Sequence, residues 1–137
     1  MNEQEIVEQV VANLYEQNAY AADENGFCVY RLQTENKILK CAIGGLIPDE
    51  LYNKKFEGDS AWGLPENIIA SIAPDTKDLR RFLSYVQISL HDSPSDTNGP
   101  NLRSLKYRNI VREFCDRFDL SSEFLNNYSW ELITNGQ

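Results

Sequence analysis

Apolar positions recur along this chain with two different periods. In "EQEIVEQVVANLYEQN" the residues Ile6, Val7, Val10, Val11, Leu14 and Tyr15 fall at helical spacing, with Glu and Gln opposite. One apolar stripe on one face predicts an amphipathic helix, and Glu3 and Glu5 suit its positive end. Two further stripes have the same period. Leu79, Phe82, Leu83, Val86 and Leu90 predict a helix over 76–91, and Leu102, Leu105, Ile110, Phe114 and Phe118 predict another over 102–118.

Between the first and second stripes the pattern changes. "FCVYRLQ" and "KILKCAI" are rich in β-formers and flank "TEN", which predicts an antiparallel hairpin near 27–43. A two-residue loop at Thr34-Glu35 sets Tyr30 opposite Leu39 and Cys28 opposite Cys41. That register gathers these four on one face, with Val29, Arg31, Ile38 and Lys40 on the other. Gly44-Gly45 breaks the second strand, and Pro48 with Asp49 and Glu50 reads as a helix start. "NKKFEGDSAWG" reads as a loop anchored by Phe56 or Trp62, and "LPENIIASI" as a short helix opened by Pro65. Asp75, three residues before Asp78, marks the next helix start. "DSPSDTNGPN" is the strongest loop signal, and the tail after 120 has enough aromatics to dock. No repeat or linker divides the chain. The expectation is one α+β domain over 1–137, mostly helical, with a small antiparallel hairpin.

Charge narrows the function classes. The chain carries 21 acids and 13 bases, a formal −8, with −6 falling in residues 1–60. Such a surface opposes non-specific nucleic-acid binding and suits a basic protein partner. The exception is a basic cluster, Arg103, Lys106, Arg108 and Arg112, which could hold an anion such as a nucleotide. The same residues also read as a solvated helix face with Glu113–Arg117 and Arg112–Asp116 pairs.

Three cysteines (Cys28, Cys41, Cys115), a single histidine and no C-x-x-C leave no structural zinc pattern and suit a reducing compartment. The N-terminus carries acids where a secretion signal carries a positive charge, and no apolar run reaches the ~20 residues of a membrane span. A cytoplasmic protein with no membrane association and no cofactor is expected.

Chemistry that could make this an enzyme rests on Cys41, His91 and Asp92. A thiol nucleophile, a base and an orienting acid fit a hydrolase, with amides near Gly44-Gly45 as oxyanion donors and Cys28 as an alternative nucleophile. Against it, buried cysteines usually act as small hydrophobes, and the reading of Cys28 and Cys41 as packed residues of the hairpin core is preferred. "CAIGGLI" lacks the Gly-Lys-Ser/Thr of a phosphate loop. Asp49, Glu50, Glu57 and Asp59 lack the alternation of a calcium loop and read as helix-start and loop charges.

The segments Cys28-x-Tyr30-Arg31 and Lys40-Cys41-Ala42-Ile43-Gly44, then Leu46-Ile47-Pro48-Asp49-Glu50, resemble an uncharacterised family of small phage, prophage and bacterial proteins. Its members carry C-x-Y-R followed by K-C-A-[IV]-G-x-L-I-P-D, and often a later His-Asp pair, here His91-Asp92. The resemblance covers roughly residues 3–92. It departs in the hairpin turn, where "LQTENK" replaces a Gly-Pro or Asn-Gly turn. It implies a phage or mobile-element setting and brings no reaction or catalytic assignment. The reading of the whole chain is a non-enzymatic interaction or modulator protein with a host-protein partner.

Overall fold

The computed structural model describes residues 1–96 and 101–132. Helix α1 (Glu3–Gln17) opens on a capping box. The Asn2 side chain accepts from the Glu5 amide at 2.8 Å, and the Glu5 carboxylate accepts from the Asn2 amide at 3.0 Å. Its stripe of Ile6, Val7, Val10, Val11 and Leu14 is fully buried, and Asn18 ends it in the left-handed region at φ 46°. No basic residue lies in its last turn. Arg103 supplies the missing cation from far along the chain, donating Nε to the Tyr15 carbonyl (2.8 Å) and Nη2 to that of Glu16 (3.0 Å).

The hairpin is β1 (Arg31–Gln33) paired antiparallel with β2 (Ile38–Lys40), the only two strands among the described residues. Its register is Arg31↔Lys40, Leu32↔Leu39 and Gln33↔Ile38, two residues from the expected pairing. The Thr34 amide donates to the Lys37 carbonyl (2.8 Å), and the Thr34 hydroxyl also reaches that carbonyl (2.8 Å), so the loop is Glu35-Asn36. Threonine closes this turn with its own side chain, a device that hydrophobic patterning does not reveal. A slip of two preserves the faces, so Tyr30, Leu39 and Cys41 are buried while Ile38 is 47% exposed. Cys28 lies outside the ladder, bridged to Ala22, and does not face Cys41.

After β2 the chain folds back sharply. A Cβ at Gly44 would sit 2.1 Å from the Tyr30 carbonyl oxygen, so only glycine lets this turn pass so close to the strand. Pro48 and its acids open a single 3₁₀ turn (Asp49–Leu51) rather than a full helix. Phe56 packs against the core, whereas Trp62 is 49% exposed.

Helix α2 (Glu66–Ile72) starts at Pro65 as its sequence predicts. Helix α3 (Lys77–Gln87) is capped by Thr76, whose hydroxyl accepts from the Leu79 amide at 3.0 Å. Asp75 serves otherwise, in a two-pronged pair with Arg80 at 2.9 Å for each prong.

The loop predicted after His91 does not start at Asp92, and its residues 97–100 lie outside the described residues. One π turn (Ile88–Asp92) and a short helix α4 (Ser93–Asp96) continue the path of α3, with the Ser93 amide donating to Ile88 five residues back. Pro94 has no N–H for the Leu90 carbonyl, and the Tyr107 hydroxyl donates to that carbonyl at 2.5 Å.

Helix α5 (Leu105–Arg117) is capped by Ser104. Its buried residues are Tyr107, Val111, Phe114 and Cys115, while Leu105, Ile110 and Phe118 are only half-buried. Taking Leu105 and Ile110 as inward rotates the stripe; the spacing 104, 107, 111, 114, 115 fits a 3.6 period better. Phe82, Phe114 and Phe118 join α3 to α5 with ring separations of 4.6–5.9 Å. The tail docks on α1 through Tyr128 and Trp130 against Tyr15. All the buried apolar residues form one core, and the architecture is α+β and mostly helical. Among the described residues no helix is long and apolar enough to cross a membrane.

Candidate functional site

A cleft of about 240 Å³ opens between the hairpin, the 57–61 loop and α3 with its π turn. Cys28, Tyr30 and Cys41 form its floor, Ser84, Gln87, Ile88 and Asp92 one wall, and Glu57, Asp59, Ser60 and Ala61 the other.

The loop wall is held in place by charge. The Glu57 carboxylate accepts from the Tyr30 amide (2.8 Å), the Arg31 amide (3.2 Å) and the Tyr52 hydroxyl (2.6 Å). The Tyr30 hydroxyl donates to the Asp59 carbonyl. From the other side, Arg80 Nη1 donates to the carbonyls of Ala61, Trp62 and Leu64 at 2.8–3.0 Å while its other nitrogens grip Asp75. Hydrogen bonding from Arg80 holds the Asp75 carboxyl below the usual carboxylate range.

The helix wall carries His91 and Asp92. His91 is fully buried. The Ala21 amide donates to its Nε2 at 3.1 Å, so that nitrogen is the acceptor and the proton resides on Nδ1, which donates to Asp92 Oδ1 at 3.0 Å. Gln87 Nε2 donates to the same carboxylate oxygen at 2.7 Å. Burial pushes the Asp92 carboxyl up, but hydrogen bonds from His91, Gln87 and Cys28 outweigh it, and the carboxyl lies below its ordinary value.

The thiol in this group is Cys28. Its sulfur, a His91 ring nitrogen and an Asp92 oxygen lie within 4.8 Å of one another, and Ser95 Oγ is 3.4 Å from the sulfur. Cys41 does not belong to the cluster. It is buried, its sulfur accepts from the Gly44 amide at 3.2 Å, and burial pushes its thiol far up. The structure therefore joins His91 to Asp92, as their adjacency suggests, and exchanges Cys41 for the half-buried Cys28.

Both His91 nitrogens are engaged, one by a backbone amide and one by a carboxylate. A general base needs an accessible lone pair beside the nucleophile's proton, and the Nε2 lone pair is spent on Ala21.

Arg103, Lys106, Arg108 and Arg112 do not all share one face. Arg103 is committed to the C-terminal carbonyls of α1. Arg108 is half-buried and donates to Asn109, while Lys106 and Arg112 are exposed. At about 100° per residue, Lys106 projects some 200° around the helix from Arg108.

The acids Asp49, Glu50, Glu57 and Asp59 disperse as well. Asp49 pairs with Arg31 (3.0 Å) and Lys40 (3.2 Å), and Glu57 serves the start of β1. Among the described residues, the one group of ligand-type side chains drawn together is Cys28, His91 and Asp92.

Sequence reasoning passes over Ser84, Gln87 and Arg80. Ser84 and Gln87 lie off the apolar stripe of α3 and read as solvent-facing. The spacing 84, 87, 88 does place them on a common flank, which is the signal that could have found them.

Comparison with protein-family models, with curated proteins and with solved structures finds no match to this chain.

Proposed function

We propose that this is a non-catalytic interaction protein, cytoplasmic and of the phage or mobile-element kind, that binds a basic host protein through its acid-lined cleft. One observation carries the reading: every charged residue lining the cleft is a carboxylate, namely Glu57, Asp59 and Asp92. With a formal charge of −8 behind them, these groups attract cationic partners and repel nucleotides and nucleic acid. The engaged nitrogens of His91 favour binding over thiol chemistry. Exposed Ile88 on the wall, with exposed Phe27 and Trp62 next in sequence to the lining residues Cys28 and Ala61, supplies apolar area for a partner surface.

The test is calorimetric titration with Lys/Arg-rich peptides, charge-reversed peptides and nucleotides. Binding confined to the basic peptides, and weakening as salt rises, is the expected result. Saturable nucleotide binding without peptide binding would replace this reading with the anion-binding one.

A further inference from the structure

Two carboxylates in the cleft are fixed before any ligand arrives. Asp92 cannot swing, because His91 Nδ1 and Gln87 Nε2 both donate to its Oδ1, at 3.0 and 2.7 Å. Gln87 is itself pinned, its Oε1 accepting from the Ile43 amide at 2.9 Å. Glu57 is held by three donors on the opposite side. Eight residues before Asp92 on the helix wall, the Ser84 hydroxyl oxygen is buried and has no hydrogen-bond partner. A buried hydroxyl without a partner is costly, and a donor entering the cleft would relieve it. Asp59 adds a further carboxylate near the mouth, on an exposed residue.

Resting on the cleft reading above, we infer that the cleft is a receptor for one arginine side chain of the basic partner. Size supports a side chain rather than a whole cofactor, since about 240 Å³ is smaller than the several hundred Å³ usual for small-molecule sites. The arrangement of acceptors selects guanidinium over ammonium. Oxygens stand on two facing walls, and a planar fork with five donors can serve both, whereas an ammonium has three donors about one point. Guanidinium is also the more weakly hydrated cation, so entering a half-enclosed cleft costs it less. The orientation of Asp92 is set in advance, which spares the ordering cost of binding. Cys28 and Cys41 contribute a polarizable floor without a positive charge.

The experiment uses the whole chain and three peptides of one basic sequence, carrying arginine, lysine or citrulline at a single central position. Nuclear magnetic resonance maps the contact and calorimetry measures affinity. The arginine peptide should bind at least about tenfold more tightly than the citrulline peptide, and more tightly than the lysine peptide, with shifts at the Ser84, Gln87 and Asp92 amides. Asp92→Asn should weaken it by about tenfold or more. Because that change touches the His91 network, Asp59→Arg is the second variant: it sets a cation at the mouth and should abolish arginine selectivity while the amide spectrum elsewhere stays unchanged. Equal binding of all three peptides, or shifts outside the cleft, would overturn the arginine receptor and leave the basic-partner reading standing. Absence of binding by every basic peptide would overturn both. Displacement of the bound arginine peptide by zinc, with loss of displacement in Cys28→Ser, would assign the cleft to a metal instead.

Discussion

The backbone amide of Ala21 and Nε2 of His91 meet at 3.1 Å across seventy residues of chain. This bond decides the tautomer of the one histidine, keeps its proton on Nδ1 pointed at Asp92, and occupies the lone pair that a general base would use. The thiols should report this directly. Cys28 is half-buried and should be alkylated in the native state, while Cys41 and Cys115 should react only in denaturant. Burial holds the Cys115 thiol up at about 11 and that of Cys41 still higher. Native-state labelling with mass-spectrometric site assignment checks this. His91→Ala should leave the labelling rate of Cys28 undiminished and cost about 2–4 kcal/mol of stability, since it orphans the Ala21 amide and opens a cavity. A rate for Cys28 that collapses in His91→Ala without loss of stability would restore the thiol enzyme.

Asp92 makes stability depend on acid. Its carboxyl lies below the unfolded value, despite burial, because His91, Gln87 and Cys28 donate to the charged form. A lowered folded value means the unfolded chain takes up the proton first. The contribution is complete above the ordinary carboxylate range and is lost as pH falls through the folded value. Urea midpoints measured from about pH 5 down to pH 2 should fall less steeply in Asp92→Asn than in the parent.

Gly44→Ala should destabilise the protein by about 2–4 kcal/mol, because the new methyl would meet the backbone carbonyl of Tyr30, which cannot rotate away. Gly45→Ala meets only the Asn13 side-chain amide at 3.0 Å, a group that can turn, and should cost under about 1 kcal/mol. Chemical denaturation of the two variants side by side is the check.

Arg80→Ala should loosen the loop wall of the cleft before it unfolds the domain. Three carbonyls and Asp75 lose their donor together, a loss of about 2–3 kcal/mol for a pair so little exposed. Amide hydrogen exchange should accelerate over 58–64 more than over α1.

Much of the fold could be read from periodicity. The stripes of α1 and α3 are buried except for Tyr15, which is half-buried under the tail, because a helix with one apolar face has one way to sit. What escaped reading was set by single polar side chains. Thr34 fixed the hairpin register, Thr76 displaced Asp75 as a cap, and Tyr107 covered the carbonyl that Pro94 leaves, letting the helical path run past His91. The site divided the same way. His91 and Asp92 were adjacent in sequence and stay together in space, whereas the choice of Cys28 over Cys41 turned on the bridge between Ala22 and Cys28, a contact outside any repeat. Glu57, Ser84 and Gln87 gain meaning only from what stands across the cleft.

The hold of Arg103 on the last carbonyls of α1 has a consequence for how the chain is made. On a ribosome the first helix emerges long before residue 103 exists. At roughly 5–20 residues per second, it waits on the order of 5–20 s for the guanidinium that completes its end. Short isolated helices are marginal in water, so through that interval the stripe of Ile6, Val7, Val10, Val11 and Leu14 stands exposed on a fraying segment. Nascent chains of this protein should be clients of whatever shelters apolar segments at the tunnel exit, and folding should close in one late step when α5 arrives.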